Sequence, residues 1–240
     1  MNTFLFHEEH LFSDISLPAH NEIHIWLFPL EKHDLLEKEI ENLPTSEKNR
    51  SFDFRQEKSR LCYVVSRALL RKLLSNYLNR SADSITFERG PHGKPYIKNS
   101  PLQFNLSHSA DFVAIAFCID SPVGIDIEKV RQNIRIDNLV KRFFHPEEIH
   151  NFFSMTTEQK TDFLFRRWTI REAFLKGIGT GLTVSPQSFC VIPCPEDIET
   201  FYIKPDPSLK QKSQEDYSSW RISCVPAPEN YYCSIAYRNQ

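Results

Sequence analysis

The sequence predicts an α+β fold of two similar subdomains, residues 1–119 and 120–240. Each is read as a small antiparallel sheet packed with a long helix, the pair related by a pseudo-two-fold. Three observations carry this reading. Each half runs strand, helix, long helix, glycine-bearing turn and further strands. The two long helical stretches share a cadence, "RALLRKL" at 67–73 against "EAFLKGI" at 172–178, which sets Arg67 opposite Glu172. The chain then closes on four short strand-like runs separated by Pro and charged residues. Its 240 residues suit two domains of about 120.

The elements follow in order. "IHIWLFPL" (23–30) reads as a buried strand, and "EKHDLLEKEIENL" (31–43) has helical spacing of Leu and Ile, ending before Pro44. Residues 45–78 read as one or two helices with Thr45 or Ser46 as N-cap. A strand, a Gly/Pro turn and a short strand span 84–97; a short strand, a polar turn and a longer strand span 103–120. "VGIDIEK" (123–129) alternates Val123, Ile125 and Ile127 with other residues, the period of a strand. Helices flank Pro146 within 135–153. A long helix at 156–179 is capped by Thr156 or Thr157 and stopped by glycines. Strands follow at 188–192, 199–204, 217–225 and 231–238, with a surface loop at 205–216.

Composition excludes several classes. The formal net charge of -2 provides no global basic field, so nucleic acid is not an expected partner. An anionic ligand then needs a local cluster of bases. The six cysteines are scattered; Cys190 and Cys194 form a C-x-x-x-C without the second half of a zinc finger, and the usage reads as reduced and cytoplasmic. The N-terminus carries acids where a signal peptide needs bases, and no run approaches the ~20 apolar residues of a membrane span.

Asp126 and Glu128 lie two apart in a strand and leave its same face, an arrangement that needs a compensating positive charge. Trp168, Glu172 and Lys176, spaced i, i+4 and i+8, share a helix face. Three carboxylates, Asp126, Glu128 and Glu172, make a minimal oxygen donor set for Mg²⁺. The alternatives are a solvated strand edge near Lys129 and an ordinary surface Glu–Lys pair. "GPHGKP" (90–95) lacks the spacing of a P-loop; it reads as a β-turn, or as a turn that offers Lys94 and backbone N–H groups to a phosphate. In "FNLSHS" (104–109) adjacent side chains of a strand diverge, which disfavours a Ser107–His108 hydrolase pair. His108 is read as a phosphate ligand or a neutral turn residue. Lys48, Arg50, Arg55, Lys58 and Arg60 form a solvated helix face or an anion-holding patch.

Five strings, "GKP" (93–95), "FNLSHS" (104–109), "VGIDIEKV" (123–130), "KRFFHPEE" (141–148) and "RRWTIREAFLKGIGTGL" (166–182), together resemble the two-subdomain, Sfp-type 4′-phosphopantetheinyl transferases. The resemblance implies transfer of the phosphopantetheine arm of coenzyme A to a serine of an apo acyl or peptidyl carrier protein, with release of 3′,5′-ADP. It implies Mg²⁺ on Asp126, Glu128 and Glu172, with Glu172, Lys176, Glu148 and His108 as the catalytic set. Coenzyme A contacts would come from Lys48, Arg60, Gly93, Lys94, Pro95, Ser107, His108 and Lys176, and carrier contacts from Phe143 and Phe144. The serine proton would go to Glu172, to Glu148 or to a metal-bound water. A monomer is expected, a pseudo-dimer in one chain. A silent CoA-binding scaffold and a Mg²⁺-dependent phosphoanhydride hydrolase are the alternatives. Two positions depart from the family pattern: Arg171 stands for a lysine, and Thr45 for a base three residues before Lys48.

Overall fold

The computed structural model describes residues 2–7, 10, 15–207, 209 and 215–238, with the backbone alone for Leu182. The chain divides into two compact units: Met1–Arg89 with Pro95–Asp120, and Gly90–Lys94 with Ser121–Gln240. The turn holding Gly93 and Lys94 therefore groups with the second unit, although the sequence reading counted it in the first.

The first unit contains β1 (Asn2–Phe6), β2 (Glu22–Pro29), α1 (Glu37–Glu41), α2 (Thr45–Ser51), α3 (Glu57–Leu78), β3 (Glu88–Arg89), β4 (Pro95–Tyr96), β5 (Leu102–Ser109) and β6 (Phe112–Ile119). Its main sheet has the order β1-β2-β6-β5. β1 runs parallel to β2, a strand the sequence reading omitted; the other pairs are antiparallel. The 45–78 segment breaks into two helices. Thr45 is already helical, because Pro44, extended at ψ 145°, takes the N-cap position. Val65, Leu69 and Leu73 recur at four-residue spacing on α3 and are fully buried with Trp26, Phe28, Ile115 and Phe117. The helix stops at Asn79 in the left-handed region.

The second unit contains β7 (Val123–Lys129), α4 (Ile136–Phe143), α5 (Thr157–Ile178), β8 (Phe189–Pro193), β9 (Thr200–Pro205), β10 (Trp220–Val225) and β11 (Tyr231–Arg238). The sheet, β7-β11-β10-β9-β8, is antiparallel throughout. Of the expected loop at 205–216, residues 208 and 210–214 lie outside the described residues. α5 opens on a capping box between Thr156 and Gln159 and closes on Gly179 at φ 72°. Its Ile170 and Phe174 pack with Phe189, Trp220 and Ile222, each large side chain stabilising the unit by about 1.5–3 kcal/mol.

The likeness of the units has a different register from the one the cadence suggested. α3 and α5 are both 22 residues long. In the first unit Arg67 and Arg71, one turn apart, grip the buried Glu47 at 2.9 and 2.8 Å. In the second, Arg167 and Arg171 grip Glu148. Arg67 therefore corresponds to Arg167, not to Glu172. Burial pushes the Glu47 carboxyl up, but the hydrogen bonds from Arg71 and Arg67 outweigh it and hold it below the usual range. No helix among the described residues is long and apolar enough to cross a membrane.

Candidate active site

β7 is the edge strand of the second sheet, and Gly124 faces α5. A Cβ built there would stand 2.0 Å from the Ala173 carbonyl oxygen and 2.3 Å from the Gly177 nitrogen. The strand and the helix thus touch backbone to backbone, which a glycine inside a strand often signals. The pleat carries Asp126 and Glu128 on that same face. From the helix, Glu172 and Lys176 are one turn apart and flank the contact. Two glycines set how closely the acids of the strand approach the helix. Sequence reasoning passed over Gly124, although it stands in plain view within "VGIDIEK".

Lys176 Nζ meets Asp126 Oδ1 at 2.7 Å, and the Asp126 side chain is only 5% exposed. This ammonium is the positive charge that the paired acids required. It faces more than one carboxylate, however. Burial pushes the Glu172 carboxyl up, Asp126 and Glu128 push it further, and Lys176 opposes them. Glu128 also meets the exposed Arg131 at 3.3 Å. Of the three acids that the sequence selected from a strand and a distant helix, Glu172 senses the charge of the other two. Below them, Thr169 Oγ1 and Ser234 Oγ share a buried hydrogen bond of 2.8 Å that fixes α5 on β11.

Other predicted residues stand elsewhere, and two of the assignments are corrected. Glu148 is not placed for catalysis. Its side chain is 2% exposed; one oxygen accepts from Arg167 at 2.9 Å and from the Val191 amide, and the other pairs with Arg171. Both its oxygens are thus engaged within the unit. We expect Glu148→Gln to lower the thermal midpoint, costing roughly 3 kcal/mol by leaving buried arginines unbalanced. The turnover per folded molecule should stay within about threefold, whereas loss of a general base costs about a hundredfold or more. Steady-state rates measured below the melting transition separate the two outcomes.

Phe144 is the second correction. It is fully buried beneath the Arg171 guanidinium, 4.4 Å from its ring, and presents no surface to a partner. Phe143 is half-buried and stands edge-on to Trp168 at 5.2 Å. Lys94 Nζ donates to the Val123 carbonyl at 2.8 Å and to the Gly177 carbonyl at 2.9 Å. It fastens the start of β7 to the end of α5. Burial pushes its ammonium down to about 8; a neutral amine still has a hydrogen for each carbonyl. Gly93 adopts φ 87°, as the tight turn requires.

Arg171, the departure from the family lysine, is 1% exposed and belongs to the Glu148 clamp. Its difference from lysine is therefore felt in the core of the unit. In the first unit, Ser107 is buried and His108 exposed on β5, an edge strand of its sheet. Pro95 opens β4. Arg60 is exposed on α3, and Lys48 Nζ donates to the Glu41 carbonyl.

Comparison with known proteins bears on this geometry. Residues 122–236 match the model of the 4′-phosphopantetheinyl transferase superfamily, and residues 30–119 that of the 4′-phosphopantetheinyl transferase N-terminal region. The 4′-phosphopantetheinyl transferase HetI of Nostoc sp. is 34% identical over 167 residues, covering 68% of this chain and 70% of the relative. The 4′-phosphopantetheinyl transferase Sfp of Bacillus subtilis is 34% identical over 147 residues, covering 60% and 63%. A crystal structure of a holo-(acyl-carrier-protein) synthase from Bacillus anthracis, in complex with CoA (3′,5′-ADP), aligns at a TM-score of 0.39 and 18% identity over 49% of this chain and 94% of that one. The second-unit match spans the strand that bears Asp126 and Glu128 and the helix that bears Glu172 and Lys176. The chain belongs to the 4′-phosphopantetheinyl transferase superfamily and is of the Sfp type.

Proposed function

We propose that this protein transfers the 4′-phosphopantetheine arm of coenzyme A to a serine hydroxyl of an apo acyl or peptidyl carrier protein and releases 3′,5′-ADP. The observation that carries the reading is the three-carboxylate set facing Lys176 on the helix-facing side of β7. Transfer at phosphorus asks little covalent work of a protein. It asks for positive charge on the oxygens that gain negative charge, and for an in-line approach.

Mg²⁺ belongs to the proposal: the three donors have the chemistry it takes, and their oxygens, not all within 4.8 Å of one another here, would close on the ion. Asp126, Glu128 and Glu172 offer hard oxygen ligands, and burial together with the charges of Asp126 and Glu128 raises the proton affinity of Glu172. Lys176 meets Asp126 and the exposed Arg131 meets Glu128; a divalent cation would add hard positive charge among the three carboxylates. Bound there, Mg²⁺ supplies charge neutralisation at the pyrophosphate. Lys176 holds Asp126 in the free protein and is proposed to turn to a phosphate oxygen when substrate binds. With Glu148 committed to arginines, the proposal gives the serine proton to a carboxylate oxygen of Glu172. Ser107, His108, Lys48 and Arg60 are proposed as phosphate contacts from the first unit, and Gly93 and Pro95 as contacts to the nucleotide. For Lys94 a ligand role would be secondary to its two carbonyl bonds. The six cysteines are free, in keeping with a reduced, cytoplasmic protein; a monomer is proposed.

Incubation with coenzyme A, Mg²⁺ and an apo carrier should add one phosphopantetheine to the carrier, read by intact mass, and chelation of the metal should stop it. Absence of transfer across a panel of acyl and peptidyl carriers would reject the reading. Phe143 is the proposed carrier contact. Phe143→Asp is expected to raise KM for the carrier about tenfold, roughly 1.4 kcal/mol, with KM for coenzyme A unchanged. Phe144→Ala should instead cost about 3 kcal/mol or more of stability, without a selective effect on the carrier.

A further inference from the structure

Away from the acids, the turn after α4 and the strand β8 bring together three chemically different ligand groups. A ring nitrogen of His145, a carboxylate oxygen of Glu147 and the Sγ of Cys190 lie within 4.8 Å of one another. This is the set of three metal-ligand atoms at that separation among the described residues. We propose that His145, Glu147 and Cys190 form a second metal site, for Zn²⁺, distinct from the magnesium acids and independent of the transferase reading.

The chemistry of the donors selects the ion. Thiolate and imidazole suit zinc and its neighbours, while Mg²⁺ and Ca²⁺ take oxygen. The tautomer of His145 is already set. Its Nδ1 accepts from the Glu147 amide at 3.2 Å, so the ring proton resides on Nε2, which donates to Asp206 Oδ1 at 3.0 Å. Nδ1 therefore carries the ring's lone pair, engaged by the Glu147 amide, with a carboxylate behind the ring, as zinc-binding histidines are commonly held. The Nδ1 contact is long and gives way to an ion.

Distances and mobility are compatible. Zinc bonds of about 2.0–2.3 Å set tetrahedral ligand atoms roughly 3.3–3.8 Å apart, so the cluster must contract by about 1 Å. Cys190 is buried on a strand and His145 is 12% exposed, so both are held. Glu147 is 57% exposed and can swing. Lys204, the cross-strand partner of Cys190, now meets Glu147 Oε2 at 2.8 Å. An ion displaces that exposed ammonium to solvent. On binding, the Cys190 thiol gives its proton to water and the sulfur forms the metal bond; no group is oxidised or reduced. A water completes the tetrahedron. The ion would staple the Pro146–Glu148 turn to β8, and with it the segment that carries Phe143.

The test uses the full chain with saturating Mg²⁺, titrated with Co²⁺ and then with Zn²⁺ against a chromogenic chelator. The proposal expects a near-ultraviolet thiolate-to-cobalt charge-transfer band that saturates at one equivalent and is removed by Zn²⁺. Cys190→Ser should abolish the band. His145→Gln should lower zinc affinity about a hundredfold, and Asp206→Asn about tenfold. Zn²⁺ should raise the thermal midpoint of the parent, raise those of Asp206→Asn and His145→Gln less, and leave that of Cys190→Ser unmoved. An unchanged band in Cys190→Ser, or no band in the parent, overturns the site. Should Cys190→Ser fail to fold, Glu147→Gln decides, because that side chain is exposed: zinc affinity equal to the parent's rejects the proposal, and a loss of about tenfold or more supports it.

Discussion

Glu172→Gln is expected to give a protein at least as stable as the parent at neutral pH that transfers essentially no phosphopantetheine. The two effects have one cause. Burial and the charges of Asp126 and Glu128 raise the Glu172 pKa above its unfolded value. Below the unfolded pKa, near 4.5, both states are protonated and the group costs nothing. As pH rises from there through the folded pKa, the unfolded chain releases its proton first, and stability falls. At pH 7 the parent bears this penalty and the amide does not. The amide also withdraws one of the three carboxylates proposed to hold Mg²⁺, so kcat/KM should fall by about a thousandfold or more, roughly 4 kcal/mol of transition-state stabilisation. Differential scanning fluorimetry across pH 4–8 and a transfer assay read both limbs. Addition of Mg²⁺ should raise the midpoint of the parent and leave that of Glu172→Gln nearly unmoved. A variant that melts lower and still turns over would remove Glu172 from the metal site.

Much of this arrangement was legible because it rests on short periodicities. The period of two in "VGIDIEK" and the i, i+4 spacing of Glu172 and Lys176 each name a face, and the faces meet. The closing strands β8 to β11 were legible for the same reason, as β-rich runs fenced by Pro and charged residues. What escaped depends on contacts far apart in sequence. Nothing near Glu148 announces that Arg167 and Arg171 will fill its oxygens, and in "RFFHPEE" Phe143 and Phe144 look alike until one is covered by a guanidinium. Lys94 looked like a phosphate ligand since its partners, two backbone carbonyls, leave no trace in side-chain chemistry. The repeat was misaligned because an apolar cadence tolerates a shift of about a turn. The paired clamps Glu47–Arg67–Arg71 and Glu148–Arg167–Arg171 do not.

The largest expected loss of stability comes from the smallest change, Gly124→Ala. The added methyl would lie 2.0 Å from the Ala173 carbonyl oxygen and 2.3 Å from the Gly177 nitrogen. Both are backbone atoms of α5, so no side-chain rotation makes room. The helix itself cannot retreat freely, because a Cβ on Gly177 would already meet the Trp220 ring at 2.6 Å, and that ring is fully buried. Overpacking a core costs typically 1–3 kcal/mol when side chains can shift; backbone against backbone, about 3 kcal/mol or more is expected. For a chain of this size that is a fall of about 10 °C in the thermal midpoint. If the strand yields instead, Asp126 moves away from Lys176, and transfer and the stabilisation by Mg²⁺ fall together. Gly93→Ala is the control: its φ of 87° strains any other residue, yet nothing lies within 4 Å of the added methyl. It should cost about 1–2 kcal/mol and leave the response to Mg²⁺ intact. Equal melting of the two variants would mean that strand and helix do not touch at Gly124, and the acids would have no fixed distance from Glu172.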